Sequence, residues 1–191
     1  MARQVHEGTT PVVVVGDYIT GLGGGVFTMF QVLKMALLSH GYTLAIRGKP
    51  LFVEEIQAWR YGPVIPALYN ALRVHGGAPI PRLYSCRTPV IGPDLGGRMG
   101  ELAGMFEPEN LEIVEKTVET FRDYKAFQLS YITHMDGSPW RAAYGRDGLY
   151  APIEDGEMMS YYRRQLKEGR DTGSPGTGDS ADAGQSGSRF K

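Results

Sequence analysis

The chain has 191 residues, enough for a domain with a substantial hydrophobic core, and 42% of them are apolar, which is typical of globular proteins. Its formal net charge of -1 argues against a general nucleic-acid-binding protein, which carries a strong basic excess. The single cysteine, Cys86, excludes an intramolecular disulfide and a cysteine-rich zinc site, and it fits the cytoplasm. Since no stretch approaches the ~20 apolar residues of a membrane span, we expect no membrane association.

The valine- and glycine-rich segment 11–25 is the first predicted element, and the residues alone leave two interpretations of its start open. The β-branched valines favour a strand, whereas helical spacing relates Val12, Val15, Ile19 and Leu22. The glycines that follow suggest a phosphate-binding loop, but Leu22 stands where such a loop requires lysine. No Asp or Glu occurs between Asp17 and Glu54 to bind a ribose. We therefore expect no nucleotide site and no cofactor.

A long helix is predicted over residues 28–44, where apolar residues recur at helical spacing and Thr28 is a suitable N-cap. Gly41 in its interior costs up to ~1 kcal/mol relative to alanine. The Gly-Lys-Pro sequence at 48–50 predicts a turn. The pieces that flank this turn are candidates for the two arms of a short hairpin, residues 44–46 and 51–59.

The Gly-Pro pair at 62–63 predicts a break, and Pro66 is well suited to begin a short helix that ends before the glycines at 76–77. Residues 78–104 contain many Pro and Gly with little periodicity, which predicts a loop. Three later helices are predicted. The first begins at residues 107–110, the second follows an N-cap at Asp123, and the last spans residues 158–166.

Composition divides the chain into three parts. We predict a flexible N-terminus over residues 1–11, a folded domain over residues 12–166 and a disordered tail over residues 167–191. The tail is composed mostly of Gly, Ser, Asp and Thr, so it cannot bury enough apolar surface to offset its ordering entropy.

Three polar residues lie close together in segment 129–140 and suggest a hydrolase. Ser130 would attack, His134 would act as base and Asp136 would orient it. Triad residues normally come from separate elements, however, and no G-x-S-x-G elbow is present. The sequence therefore favours a structural role in which His134 interacts with the end of its helix.

Neither metal spacing nor a catalytic pair identifies another site. The histidines show no H-x-x-x-H or H-E-x-x-H spacing, which predicts no metal centre. The cluster Trp59, Arg60 and Tyr61 consists of the residue types that dominate binding hot spots. The sequence leaves open whether Trp59 lies in the core or in an interface.

Two longer motifs bear a family resemblance. Residues 32–72 read VLKMALLSHGYTLAIRGKPLFVEEIQAWRYGPVIPALYNAL, and residues 129–143 read LSYITHMDGSPWRAA. Together they resemble the Panacea domain family of GepA-like and SocA-like antitoxins. The chain departs from that pattern at Leu33, at Gln57 and at the inserted residues 136–138. The family-motif or partner-binding candidates are the positions that the resemblance covers, together with Arg60 of the hot-spot cluster. They are Lys34, Lys49, Trp59, Arg60, Tyr61, His134 and Trp140.

The resemblance implies a mainly α fold, with a single helical domain and a small β-hairpin element, and it places the N-terminal valines in a helix. It implies a non-enzymatic, phage- or prophage-associated antitoxin that holds a cognate protein toxin inactive by direct binding. Toxins of the family include nucleotide pyrophosphokinases related to alarmone synthetases. At least one member instead delivers its toxin to a protease, so a proteolytic adaptor is the alternative. A homo-oligomer and a hetero-oligomer with the toxin are both compatible.

Overall fold

A computed structural model describes residues 8–171 of the chain, with side chains to residue 168. These residues form eight α-helices and a three-stranded antiparallel sheet, joined by loops, which confirms the predicted mainly α fold with a small hairpin. All eight α-helices contribute buried apolar side chains to one core. The helices are α1 Val12–Leu22, α2 Met29–Arg47, α3 Pro66–Leu72, α4 Leu95–Ala103, α5 Pro108–Phe121, α6 Ala126–His134, α7 Pro139–Asp147 and α8 Asp155–Asp171. The strands are β1 Gln57–Trp59, β2 Gly62–Val64 and β3 Ala151–Pro152.

The central element is α2, which packs against α1, α3, α5, α6 and α8. Its start confirms the predicted cap, because Gln31 N donates to Thr28 Oγ1 and Thr28 N donates to Gln31 Oε1. It ends at Gly48, whose φ of 69° lies in the left-handed region that glycine adopts without strain. Because neighbours surround α2, even its polar residues Lys34, Ser39 and His40 are buried.

The valine- and glycine-rich segment 11–25, for which the residues alone allowed either a strand or a helix, contains the helix α1. Its glycine-rich end leads directly into α2. Buried Asp17 on α1 accepts hydrogen bonds from Tyr84 N at 2.6 Å and Ser85 N at 2.8 Å. These bonds fasten the long segment after α3 onto α1. The prediction of a loop over residues 78–104 was wrong at its end, because α4 forms there and places Met99 against Gly21.

The predicted hairpin between residues 44–46 and 51–59 was wrong, since residues 44–46 form the last turn of α2. The hairpin instead joins β1 to β2, with Ala58 opposite Pro63 and Trp59 opposite Gly62. Strand β2 lies at the edge of the sheet in the order β2-β1-β3. Proline lacks an N–H donor but is tolerated on an edge strand, so the predicted break at residues 62–63 is a strand.

The helices of the C-terminal half were predicted with shifted ends. Helix α5 begins where expected, but Lys125, not Asp123, precedes α6. The sequence Asp-Gly-Ser-Pro ends α6 and also begins α7, whose N-cap Ser138 accepts a hydrogen bond from Arg141 N. Helix α8 runs past the predicted end at residue 166 to Asp171. The rest of the predicted tail, 172–191, and residues 1–7 of the predicted N-terminus lie outside the described residues.

Within the part of the chain that the structure describes, no helix is both long and apolar enough to cross a membrane.

The Tyr162 ring of α8 lies directly against Gly41 of α2. A Cβ built on this glycine would lie 2.2 Å from Cε2 of the buried Tyr162 ring. The helix therefore carries a residue of poor helix propensity because only glycine leaves room for Tyr162.

We expect Gly41→Ala to lower the free energy of unfolding by about 1–3 kcal/mol, because overpacking outweighs the ~1 kcal/mol gain in helix propensity. Gly145→Ala on α7 is the matched control, since a Cβ at Gly145 meets no atom within 4 Å. The control should be neutral or stabilising. Urea unfolding measures both variants, and equal effects of the two substitutions would contradict the packing argument.

Candidate functional site

Lys34 on α2 reaches the hairpin from inside the protein. Its side chain is 5% exposed, and its Nζ donates a hydrogen bond to the carbonyl oxygen of Pro63 at 2.9 Å. No carboxylate among the described residues forms an ion pair with it. Burying an amine is costly unless it is hydrogen-bonded, so this contact ties β2 to the central helix.

His134, the last residue of α6, packs against the hairpin beside Lys34. A Cβ built on Gly62 would lie 2.3 Å from His134 Nε2 and 2.8 Å from Lys34 Nζ. Gly62 also has a φ of 114°, so both its conformation and its neighbours require glycine. His134 Nε2 is buried and has no hydrogen-bond partner among the described residues. The two nitrogens therefore converge on one glycine of the hairpin.

Two tryptophans complete the cluster. Trp140 on α7 lies against the His134 ring, with 4.2 Å between ring centroids, and its Nε1 donates to the Trp59 carbonyl at 2.9 Å. The half-buried Trp59 indole contacts the rings of Tyr69 and Tyr150, with centroid distances of 5.1 and 5.6 Å. These contacts give Trp59 a packing role within the fold. We call Lys34, Trp59, Gly62, His134 and Trp140 the hairpin cluster.

The electrostatics of the hairpin cluster disfavour positive charge. Burial lowers the pKa of Lys34 to about 7, so its amine is protonated in only part of the molecules at neutral pH. Burial also lowers the pKa of His134, and the positive charges of Lys34 and Arg141 lower it further, while the Tyr61 backbone opposes the shift. The cluster therefore holds two basic groups whose charged forms are both destabilised.

The remaining candidates from the sequence lie outside the hairpin cluster. Arg60 and Tyr61 form the exposed tip of the hairpin, and the Arg60 guanidinium carbon lies 5.6 Å from the centroid of the Tyr61 ring. Lys49 is exposed in the turn after α2, and no hydrogen bond or ion pair joins it to the described residues. Four of the seven sequence candidates thus belong to the hairpin cluster, Arg60 and Tyr61 adjoin it at the tip, and Lys49 stands apart.

The hydrolase arrangement suggested by the sequence does not assemble in this structure. Ser130 and His134 share α6, but Asp136 forms an ion pair with Arg141. His134 faces Gly62 and Trp140 instead. Asp136 therefore does not orient the imidazole.

Sequence reasoning missed the parts of the cluster that act through the backbone or from distant segments. The carbonyl oxygens of Trp59 and Pro63 accept the two hydrogen bonds that hold the hairpin. Because the acceptors belong to the main chain, no pattern of side chains in the sequence predicts these bonds. Tyr150, which contacts Trp59, has a φ of 69°, a left-handed conformation that is uncommon outside glycine.

A crevice beside the cluster is lined by residues that include Pro63, Trp140 and Tyr162. Its cavity volume is about 10 Å³, roughly the space of one water molecule, so it is far too small for a common small-molecule ligand. Among residues 8–168, no group of three or more His, Cys, Asp or Glu side chains is placed to hold a metal ion.

Comparison with known proteins supports the resemblance seen in the motifs. A family model described as "Antitoxin SocA-like, Panacea domain" matches residues 32–141, more than half of the chain. Antitoxin SocA of Caulobacter vibrioides (strain NA1000 / CB15N) is 27% identical over 107 residues. That alignment covers 56% of this chain and 54% of the relative, so the chain spans about half the relative's length. No solved structure matches.

The buried amine of Lys34 should make stability depend on pH. The pKa of an ordinary lysine is 10.5, so the unfolded chain keeps this proton up to about pH 10, whereas the folded protein loses it above about pH 7. Because the unfolded state binds more protons in this window, the free energy of unfolding should rise with pH. Relative to Lys34→Met, the wild type should gain about 3 kcal/mol between pH 7 and pH 9.5.

Urea unfolding of both proteins at the two pH values measures this difference, and all other titrating groups are shared by the pair. Parallel pH profiles for wild type and Lys34→Met would show that the amine is not desolvated.

Proposed function

The chain belongs to the SocA-like Panacea antitoxin family, and on that basis we propose that it neutralises a cognate protein toxin by direct binding. The observation that carries this proposal is the extent of the family match. Residues 32–141 contain the whole hairpin cluster, from Lys34 to Trp140. The family match thus spans every residue of the cluster that fixes the hairpin.

The arrangement of the hairpin supports a binding role. The side chains of the hairpin cluster hold the main chain in place, while Arg60 and Tyr61 remain exposed at the tip. Arginine and tyrosine are enriched in binding hot spots, and a rigid support lowers the entropy that binding costs. We propose that the tip forms part of the toxin-binding surface.

The finer features of the system follow from the family resemblance. The first toxin class to test is the nucleotide pyrophosphokinases related to alarmone synthetases. We propose that residues 12–166 are the functional unit, that it acts in the cytoplasm, and that a phage or prophage carries the gene.

Co-expression tests the proposal. A toxin whose gene lies beside the gene of this chain should arrest growth when it is expressed alone. Co-expression of this chain should restore growth, and the two proteins should purify together. A neighbouring product that is harmless by itself, or that never copurifies, would contradict the proposal.

The same experiment separates direct inhibition from the adaptor alternative. Under direct inhibition, the half-life of the toxin is unchanged in protease-proficient cells although growth is restored. A shortened toxin half-life would favour an adaptor that delivers the toxin to a protease.

Two substitutions in the hairpin should separate folding from binding. Trp59→Ala should lower the free energy of unfolding by about 2–3 kcal/mol, less than the ~3–5 kcal/mol of a fully buried tryptophan. Tyr61→Ala should leave stability nearly unchanged, because Tyr61 is 79% exposed, and should weaken toxin binding. Thermal melts beside a binding assay measure both, and a strong loss of stability in Tyr61→Ala would reverse the assignment.

A further inference from the structure

The outward face of α6 carries large apolar side chains that no described part of the protein covers. Phe127 and Tyr131 are 69% and 68% exposed, and Met135 is exposed just after the helix. Residues four apart are neighbours on a helix surface, so Phe127 and Tyr131 form one strip, continued by Met135. We call these three residues the α6 face. A solvent-facing helix is usually charged, but α6 contains no Asp, Glu, Lys or Arg.

The hairpin lies against the C-terminal end of α6, beside the Met135 end of the α6 face. Strand β2 packs against α6, and His134 at the end of α6 contacts Gly62, the residue after Tyr61. An aromatic side chain offers about 150–250 Å² of surface, so Phe127, Tyr131 and Tyr61 together expose a few hundred Å². Patches of this size on a single chain commonly mark interaction sites.

The surroundings of this surface are basic. Arg60 forms no ion pair with any described residue, and the turn before α6 carries Arg122 and Lys125 against the single acid Asp123. On the other side, Arg141 already neutralises Asp136. A partner that covers the aromatic strip would therefore meet uncompensated positive charge at the rim.

This charge discriminates between occupants. In a symmetric dimer the same patch faces itself, so Arg60 and its basic neighbours would be brought towards their own copies. Like charges brought together across an interface are destabilising, whereas carboxylates would be attracted. The rim therefore favours an acidic partner over a second copy of this chain.

We propose that the α6 face and the hairpin tip together bind an apolar surface of the cognate toxin that is flanked by Asp and Glu side chains. This inference rests on the proposed antitoxin function and specifies its surface and the chemistry of its partner. Phe127 and Tyr131 supply the apolar contact. Arg60 supplies the charge that orients the toxin.

Charged substitutions on the α6 face test the proposal. The probe is the purified toxin whose gene lies beside the gene of this chain. Titration calorimetry measures the affinity of each variant for this toxin. Phe127→Glu and Tyr131→Glu should each weaken binding about tenfold or more, and Arg60→Glu should weaken it most at low salt. Val74→Glu is the matched control, because Val74 is 81% exposed on the 3-10 turn Arg73–His75, and it should leave affinity within about twofold.

The outcomes separate this inference from the proposed function. Thermal melts first establish that the variants keep wild-type stability, as expected for exposed positions. Wild-type toxin binding with unchanged affinity in Phe127→Glu and Tyr131→Glu would overturn the surface but not the antitoxin role. A wild-type dimer that Tyr131→Glu dissociates would also overturn it, since a second copy would then occupy the face. If the wild type binds no toxin, the antitoxin proposal fails as well.

Discussion

A hydrogen bond from a buried lysine to a backbone carbonyl fixes the position of the whole hairpin. If β2 moved away, Lys34 Nζ would be left in the core without its acceptor at Pro63, and an unsatisfied buried polar group is costly. His134 and Trp140 approach the same hairpin from α6 and α7. The short hairpin is therefore the point at which the central helix and two later helices are held together.

Among the described residues, no carboxylate forms an ion pair with either of the two basic groups in this arrangement. Both Lys34 and His134 have lowered pKa values, so near neutral pH the core beneath the hairpin carries less charge than its composition suggests. The strongly exposed groups lie just outside it, at the hairpin tip and on α6. The molecule thus separates residues that hold the scaffold from residues that are free to meet a partner.

The sequence predicted those elements whose signals are local. The Thr28 cap and the start of α5 depend on residues within one turn, and both are confirmed. The hairpin was misplaced because a glycine-proline pair ordinarily interrupts structure, and only the edge position of β2 makes Pro63 acceptable. Helix α4 was missed because its glycines oppose helix formation, and its packing on α1 compensates. At the site, the motif residues were identified, but the burial of Lys34 and the exposure of Phe127 depend on distant segments.

The two bonds that secure the hairpin both end on main-chain oxygens, those of Trp59 and Pro63. Main-chain acceptors are present whatever side chains the tip carries, so the anchoring is independent of the residues at positions 60 and 61. The tip can therefore diversify as antibody loops do on a constant framework, without loss of the fold. Under the proposed antitoxin function, a change of partner specificity would then require substitution or grafting of only a few tip residues.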